Sequence, residues 1–255
     1  MKSNYADVPM LKKVMQIVQC FRANSSMSAA EIARAVDMPK TTLYRLLNSM
    51  AEYGFLTKLQ DSKSYKLGPL FSAAVFLKER EFEVLKKTAR ASLEKLSEET
   101  HETVKISVLY GKNCYVLDKV EGKERIHISV DSGSVFPVYA GASSRILLAS
   151  VPQGIRNLYL DEELKSFTVH TITDKKLLFK NLRQIEEEKV AVDPGEFVDG
   201  VGAVAGPIRN KAGSVIAAVS IAYAILAERK DTIERYKLLV RETAQEISRA
   251  ISADL

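Results

Sequence analysis

Two short motifs in the sequence resemble those of enzymes, but neither has the spacing that its chemistry needs. The segment Gly141-Ala-Ser-Ser-Arg145 resembles a nucleophile elbow, yet arginine stands where the turn requires a second glycine. Residues 200–206 approach a dinucleotide-binding loop, but the third glycine comes one residue late. Pro207 also opposes the helix that would hold the pyrophosphate. The sequence therefore predicts neither an enzyme nor a nucleotide cofactor.

Metal-binding and disulfide-forming residues are sparse. Cys20 and Cys114 lie far apart and form no CxxC pair, which argues against a disulfide scaffold. His101, His127 and His170 are isolated in the sequence, without neighbouring ligands. We therefore expect no metal and no cofactor.

A loop of small residues, Ala140-Gly-Ala-Ser-Ser-Arg145, precedes an apolar run and is predicted to open a helix. The first turn of a helix offers unpaired amide donors and the positive end of its dipole, and small side chains let a ligand approach them. Gly141, Ala142 and Ser143 are therefore candidates for binding a carboxylate or another anionic group. Arg145 either adds charge there or faces solvent or a structural partner. The alternative is that the small residues serve only close packing.

A second group of polar residues shares one face of a helix predicted over residues 40–52. The buried side of this helix would hold Leu43, Leu46, Leu47 and Met50. The other side carries Lys40, Thr41, Thr42, Tyr44, Arg45 and Asn48. In the major groove of DNA, arginine pairs with guanine and asparagine with adenine, while threonine, tyrosine and lysine bind phosphates. This face predicts a DNA contact, and the alternative is an ordinary solvated helix face.

The neighbouring elements place this helix within a winged helix-turn-helix. Apolar residues at three- and four-residue steps predict a first helix over residues 10–21. Ser28 and Glu31 fit a capping box that begins a short second helix. Residues 55–59, a turn at 60–63 and residues 64–67 then predict a hairpin with a basic tip, the wing. Further candidates for DNA contact are Ser28, Lys63, Tyr65 and Lys66.

The charge of the chain is concentrated at its N-terminal end. The 255 residues carry a formal net charge of +5, and residues 1–70 contain ten basic and five acidic residues, so the remainder is neutral. A basic module joined to a larger neutral one is typical of a polyanion binder attached to a second function. The composition, 46% hydrophobic and 27% charged, is that of a soluble protein. Since the sequence has no apolar run of about 20 residues and no hydrophobic leader, we expect a cytoplasmic chain without membrane contact.

The larger half is predicted to be α+β with a mainly antiparallel sheet. Strand-like segments occur at residues 104–110, 114–119, 125–130, 190–193, 201–208 and 214–222. Helices are predicted at residues 143–150, 153–160, 174–189 and 230–253. A hairpin turn at residues 210–213 would join the last two strands. A linker helix over residues 70–101 would separate a DNA-binding domain, residues 1–69, from the larger domain, residues 102–255.

Several short segments occur in a specific order along the chain. The N-terminal part contains Ser28-Ala-Ala-Glu31-Ile32-Ala33 and Met38-Pro39-Lys40-Thr41-Thr42-Leu43-Tyr44-Arg45. The larger half contains Ala140-Gly-Ala-Ser-Ser-Arg145 and Ala205-Gly206-Pro207. Together with residues 11–18, 53–56, 65–68, 96–104 and 190–193, these segments resemble the IclR family of bacterial transcriptional regulators over nearly the whole chain.

The resemblance implies a GAF-like effector-binding domain in the larger half, with pocket residues at Gly141, Ala142, Asp193, Ala203 and Ser220. Asp193 would either accept a hydrogen bond from a hydroxyl-bearing ligand or cap the turn that follows it. Many members have cysteine where this chain has Ala203, and a second polar residue of the last strand is Ala222 here. We therefore expect that wall of the pocket to be less polar.

The resulting hypothesis is a ligand-responsive transcriptional regulator, a winged helix-turn-helix joined by a linker helix to an α+β effector-binding domain. Its partners would be a palindromic double-stranded DNA operator and a small carboxylic acid. The resemblance implies dimers made through the N-terminal module and tetramers made through the effector halves. Two alternatives are a small-molecule enzyme with a nucleic-acid-binding appendage, and a winged-helix regulator whose larger domain only mediates oligomerisation.

Overall fold

The chain divides into two compact units, Met1–Glu81 and Phe82–Leu255. This computed structural model describes residues 9–21, 24–36, 38–59, 64–123, 127–225 and 230–254. No helix among those residues has the length and apolar character needed to cross a bilayer.

The first unit contains three short helices and a small antiparallel sheet. Its elements are α1 (Pro9–Cys20), β1 (Met27–Ser28), α2 (Ala29–Ala35), α3 (Lys40–Glu52), β2 (Leu56–Lys58) and β3 (Ser64–Leu67). The strand order is β1-β3-β2. One core holds them together, and its most buried members are Ile17, Ile32, Leu43, Leu47, Leu56 and Tyr65. The predicted winged helix-turn-helix is confirmed, although the wing tip at residues 60–63 lies outside the described residues.

Local features explain where α2 begins and where α3 ends. The Glu31 amide donates to the Ser28 hydroxyl over 3.3 Å, and the Ser28 amide donates to the Glu31 carboxylate over 2.7 Å, so the predicted capping box is confirmed. Gly54 follows α3 with φ of +75°, a conformation that favours glycine and turns the chain toward the wing.

One helix, α4 (Pro69–Thr100), begins in the first unit and ends in the second. From Leu85 onward its buried residues recur at three- and four-residue steps and belong to the core of the second unit, as Ala89, Leu93 and Leu96 do. Before that point most of its side chains are exposed.

The second unit is built on a six-stranded sheet in which every pairing is antiparallel. Its strands are β4 (Thr103–Tyr110), β5 (Asn113–Val120), β6 (Val135–Pro137), β7 (Ala191–Asp193), β8 (Val201–Arg209) and β9 (Val215–Ala224), in the order β6-β5-β4-β9-β8-β7. The helices are α5 (Ala142–Ser150), α6 (Gln153–Tyr159), α7 (Lys175–Glu188) and α8 (Lys230–Asp254). This arrangement confirms the predicted α+β class.

Apolar cores lie on both faces of the sheet. Alternate residues of β4, including Val104 and Ile106, pack with α4 and α8 on one face. On the other face, Ala203 and Ala205 of β8 pack with α5 and α7. Because α5 lies between the sheet and α7, every residue from Ala142 to Ala149 is buried.

One predicted strand is wrong. Residues 127–130 form no strand, and residues 124–126 lie outside the described residues. Ile128, Ser129 and Val130 instead line a cavity. The short strands β1 and β6 were not predicted, because two or three residues carry too little periodicity to be recognised.

Candidate functional site

The exposed side of α3 carries the polar residues expected from the sequence. Exposed side chains are found at Lys40, Thr41, Thr42, Tyr44, Arg45 and Asn48. None of these side chains forms a hydrogen bond or ion pair with another described residue. On the opposite side Leu43, Leu47 and Met50 are buried as predicted, and Leu46 is half-buried. The outer face of α3 thus has two free cations and no carboxylate before Glu52.

The other predicted DNA contacts differ in accessibility. The hydroxyl of Ser28 is occupied, since it both accepts from the Glu31 amide and donates to the Glu31 carboxylate. Lys66 is exposed on β3, whereas Lys63 lies outside the described residues. The interpretation of Tyr65 as a DNA contact is wrong. Its side chain is 1% exposed, because β3 turns this ring into the core of the first unit.

A cavity of about 320 Å³ lies within the second unit, on the face of the sheet that α5 covers. Each of the six strands contributes a lining residue, in spatial order Phe136, Cys114, Lys105, Ala222, Ala203 and Asp193. The first residues of α5 and the loop after β7 close the cavity, and they include Gly141, Ala142, Ser143 and Phe197. Five of the six predicted effector residues therefore meet at one cavity.

The sixth residue, Ser220, does not line it. Ser220 is fully buried on β9, two positions before Ala222 on the same face, and its hydroxyl has no hydrogen-bond partner among the described residues. Ala203 and Ala222 give that wall the apolar character expected from the sequence.

The start of α5 is shaped by a glycine. Gly141 precedes the helix with φ of +97°, which favours glycine at this position. No side chain caps the helix, but the Gly141 amide donates to a Glu196 carboxylate oxygen over 3.2 Å. A Cβ on Gly141 would lie 3.8 Å from a carboxylate oxygen of Asp193. Two carboxylates of the protein therefore already lie near the positive end of this helix.

Asp193 has a structural role as well as a place in the cavity wall. Its Oδ1 accepts hydrogen bonds from the amides of Gly195 and Glu196 over 2.9 and 2.6 Å, so it caps the turn after β7. Its other oxygen, Oδ2, is the one that faces Gly141. Both sequence-based readings of Asp193 are therefore compatible with its position.

Arg145 is a structural partner rather than a ligand of the cavity. Its guanidinium donates to Asn181 and to the Val192 carbonyl, each over 2.6 Å, and lies 2.9 Å from Glu196. Burial lowers the pKa of Arg145, and Glu196 partly opposes that shift. Burial also raises the pKa of Glu196 to about 7, against the opposing effect of Arg145.

Lys105 is the functional candidate that sequence reasoning missed. Its side chain is 9% exposed and lines the cavity, with Nζ 4.5 Å from the centre of the Phe136 ring. Burial lowers its pKa, while Cys114 and Asp193 oppose that shift. In sequence, Lys105 alternates with Val104 and Ile106 and resembles a solvent-facing residue. One feature of the sequence could have indicated this burial. The small and apolar residues of α5 suggest that this helix packs against the face of the sheet that carries Lys105.

The cavity also contains a buried thiol. Burial raises the pKa of Cys114, and the Ser144 hydroxyl partly offsets the rise. No group of three or more histidine, cysteine or acidic residues able to hold a metal occurs in the part of the chain that the structure describes.

Both units match models of known protein families. A family model described as "Bacterial transcriptional regulator IclR C-terminal" matches residues 81–249, and one for the IclR helix-turn-helix domain matches residues 10–60. The chain belongs to the IclR family. Among curated relatives, the HTH-type transcriptional regulator KipR of Bacillus subtilis is 28% identical over 240 residues, which cover 94% of this chain and 95% of KipR.

Solved structures of the IclR family share the fold. The IclR protein of Thermotoga maritima is 31% identical with a TM-score of 0.64, covering 96% of this chain and 99% of that one. An IclR homolog from Microbacterium hydrocarbonoxydans, solved in complex with 4-hydroxybenzoate, is 25% identical with a TM-score of 0.62 and the same coverage. The first unit is therefore an IclR helix-turn-helix domain, and the second is an IclR C-terminal domain.

Proposed function

We propose that this IclR-family protein is a sequence-specific DNA-binding regulator whose operator affinity changes when a small carboxylate binds in the cavity. The observation that carries the proposal is the presence, in one chain, of a free basic face on α3 and, in the other unit, a cavity lined by apolar residues together with Lys105 and Asp193. Each feature has its own ligand chemistry, and a regulator needs both.

In the DNA complex, α3 enters the major groove with its exposed face toward the bases. Arg45 and Asn48 have the donors and acceptors to read guanine and adenine, while Lys40, Thr41, Thr42 and Tyr44 bind phosphates. Lys66, with Lys63 at the wing tip, contacts the backbone beside the groove. One such module reads few base pairs, so a dimer binds a palindrome whose half-sites lie about 34 Å apart or a multiple of that.

Exposed apolar side chains support self-association. On α1 and the first part of α4, large apolar residues retain 45–66% of their accessible surface; they include Met10, Leu11, Leu70, Val75, Phe76 and Leu77. Several large apolar side chains exposed on the same helix favour an interaction site. We propose a homodimer made through the N-terminal module, with tetramers made through the effector units, acting in the cytoplasm, where bacterial DNA lies.

The effector that regulates DNA binding would bind in the cavity. Its size suits a small metabolite, and 4-hydroxybenzoate, found with the Microbacterium relative, is a suitable first compound. Coupling between effector and DNA sites typically amounts to ~1–3 kcal/mol, a change of roughly 5- to 150-fold in DNA affinity.

The test selects duplexes from genomic DNA with the full-length protein and measures their affinity by fluorescence anisotropy, with and without small acids. We expect at least one acid to change the affinity by about fivefold or more. If acids bind without changing DNA affinity, regulation by ligand is rejected. If titration calorimetry detects no binding of any acid, the second unit serves oligomerisation, and turnover of a bound acid or ester would favour the enzyme alternative.

A further inference from the structure

Lys105 places an ammonium group in the cavity, and no residue that the structure describes forms an ion pair with it. Its side chain is 91% buried, and no hydrogen bond or ion pair joins it to any described residue. Nζ lies 4.5 Å from the centre of the Phe136 ring, a cation–π contact. Asp193 and Cys114 act on it electrostatically but do not pair with it. Since lysines are rarely buried unless paired, we expect a bound ligand to supply a partner for this one.

Two hydroxyl groups of the same cavity are also without partners. The Oγ atoms of Ser107 and Ser143 are buried, and neither has a hydrogen-bond partner of normal geometry within the described part of the chain. The Ser107 hydroxyl has only the weakly hydrogen-bonding Cys114 thiol close enough to act on, and it lowers the pKa of that thiol. Ser107 lies on β4 two positions from Lys105, on the same face, and Ser143 lies in the first turn of α5. Buried hydroxyls normally find a partner, so a donor-rich cluster of Lys105, Ser107 and Ser143 is prepared for an acceptor.

The remaining charges of the cavity region are already committed or are negative. Arg145 is bound by Glu196, Asn181 and a backbone carbonyl, and the Gly141 amide is bound by Glu196. Asp193 adds a carboxylate to the wall at β7, at the opposite edge of the sheet from Phe136. Much of the remaining lining is apolar, including Phe197, Val198, Val201 and Ala222.

We propose that the cavity is specific for monocarboxylates with an apolar body, and that Lys105 determines this specificity. The ligand carboxylate pairs with the Lys105 ammonium and accepts from the Ser107 and Ser143 hydroxyls, while its body contacts the apolar wall. A second carboxylate would approach Asp193 or Asp131, and among the described residues that line the cavity no cation other than Lys105 could neutralise it. The inference rests on the proposed effector function and adds the ligand class and the residue that selects it.

The first test compares the full-length protein with its Lys105→Met variant, in which a neutral chain of similar length replaces the amine. Removing an unpaired buried charge is expected to raise the Tm of the ligand-free protein by about 2 °C or more. The same variant should bind monocarboxylates about tenfold or more weakly. Lys211→Met, in the exposed turn between β8 and β9, is the control and should change neither quantity. A lower Tm in Lys105→Met would overturn the proposal, because it would show that the amine is paired in the free protein.

The second test measures, by titration calorimetry, the binding of matched sets: benzoate, benzamide and terephthalate, and hexanoate, hexanamide and adipate. We expect a monocarboxylate to bind about tenfold or more tightly than its amide and its dicarboxylate. Equal or tighter binding of the amide or the dicarboxylate would refute the specificity and leave the proposed function intact. If none of the six compounds binds, the monocarboxylate inference fails; binding of a different acid would then preserve the proposed function alone.

Discussion

The carboxylate of Glu196 lies 2.9 Å from the guanidinium of Arg145, and each side chain is only 2% exposed. Arg145 belongs to α5, and its other partners are Asn181 on α7 and the Val192 carbonyl on β7. One arginine therefore connects a central helix, a covering helix, a strand and the loop that carries Phe197. The pair holds the wall of the cavity in place without itself lining the cavity.

Replacing Arg145 with methionine should destabilise the protein by about 3–5 kcal/mol at neutral pH, because the buried Glu196 carboxyl group must then either stay charged without its counter-ion or take up a proton. Urea unfolding of full-length protein followed by circular dichroism measures the loss. The double variant Arg145→Met, Glu196→Gln is the control and should lose less, since no unpaired charge remains. A double variant as unstable as the single one would show that the hydrogen bonds to Asn181 and Val192, and not the ion pair, carry the stability.

The ionisation of Glu196 should make stability depend on pH. Its pKa rises from 4.5 to about 7 on folding, so the folded protein holds this proton more tightly than the unfolded chain. The resulting stabilisation is complete below about pH 4.5 and is lost as the pH rises through about 7. The free energy of unfolding of wild type relative to Glu196→Gln should therefore fall by up to about 3 kcal/mol between about pH 5 and 8. A constant difference across this range would contradict the assignment.

Asp193 offers a way to separate folding from ligand response. Asp193→Ala removes the acceptor of two buried amides and should cost about 1–3 kcal/mol of stability. Asp193→Asn retains an acceptor oxygen for those amides and should fold normally, yet it alters the charge of the cavity wall. If Oδ2 of Asp193 accepts a hydrogen bond from a hydroxyl group of the effector, the asparagine variant should lose its response to that effector, because an amide NH₂ cannot accept this bond. Its DNA affinity without ligand should stay within about twofold (~0.4 kcal/mol). Anisotropy with the selected operator measures both, and loss of DNA binding by Asp193→Asn would instead indicate a structural role.

Arg45→Ala tests the reading of bases by α3. If Arg45 pairs with a guanine, the substitution should cost ~1–3 kcal/mol of operator binding and relax base preference at one position in each half-site. Binding to an operator set with single-base changes gives this profile. Uniform weakening across the set would identify Arg45 as a phosphate contact. Arg34→Ala, on an exposed position of α2, is a matched control for removing one positive charge from the same unit.

The wing is tested by salt dependence. Lys63→Ala and Lys66→Ala should each reduce the slope of log K against log salt by about 0.9 for every copy that contacts a phosphate. Operator affinity measured at several salt concentrations gives the slopes. Unchanged slopes for both variants would remove the wing from the DNA interface.

The sequence predicted the helix-turn-helix well because its signals are local. The capping box needs only Ser28 and Glu31, and the two faces of α3 follow from helical spacing. Tyr65 escaped this reasoning because a four-residue strand offers little alternation, and the small core of the first unit takes up the aromatic ring. The burial of this residue depends on tertiary contacts rather than on its neighbours in sequence.

The cavity was only partly predictable for the same reason. The loop at Gly141 has a local signature, and Asp193, Ala203 and Ser220 came from the family resemblance. Lys105 could not be recognised as a cavity residue from the sequence. Its burial depends on two tertiary features: β4 is an inner strand of the sheet, and a helix covers the face of β4 that carries Lys105. Arg145 and Lys105 are both cations, and the sequence does not distinguish their roles. The structure shows that Arg145 forms an ion pair with Glu196, whereas Lys105 forms none with the described residues.

The two outer strands of the large sheet, β6 and β7, are three residues long, whereas the four inner strands have eight to ten. A long, flat edge strand exposes unpaired amides and carbonyls, to which strands of other chains can add and aggregate. A short edge strand exposes few such groups. Copies of this protein are thus expected to meet through side chains on their helices. Concentrated samples should stay clear instead of forming fibrils.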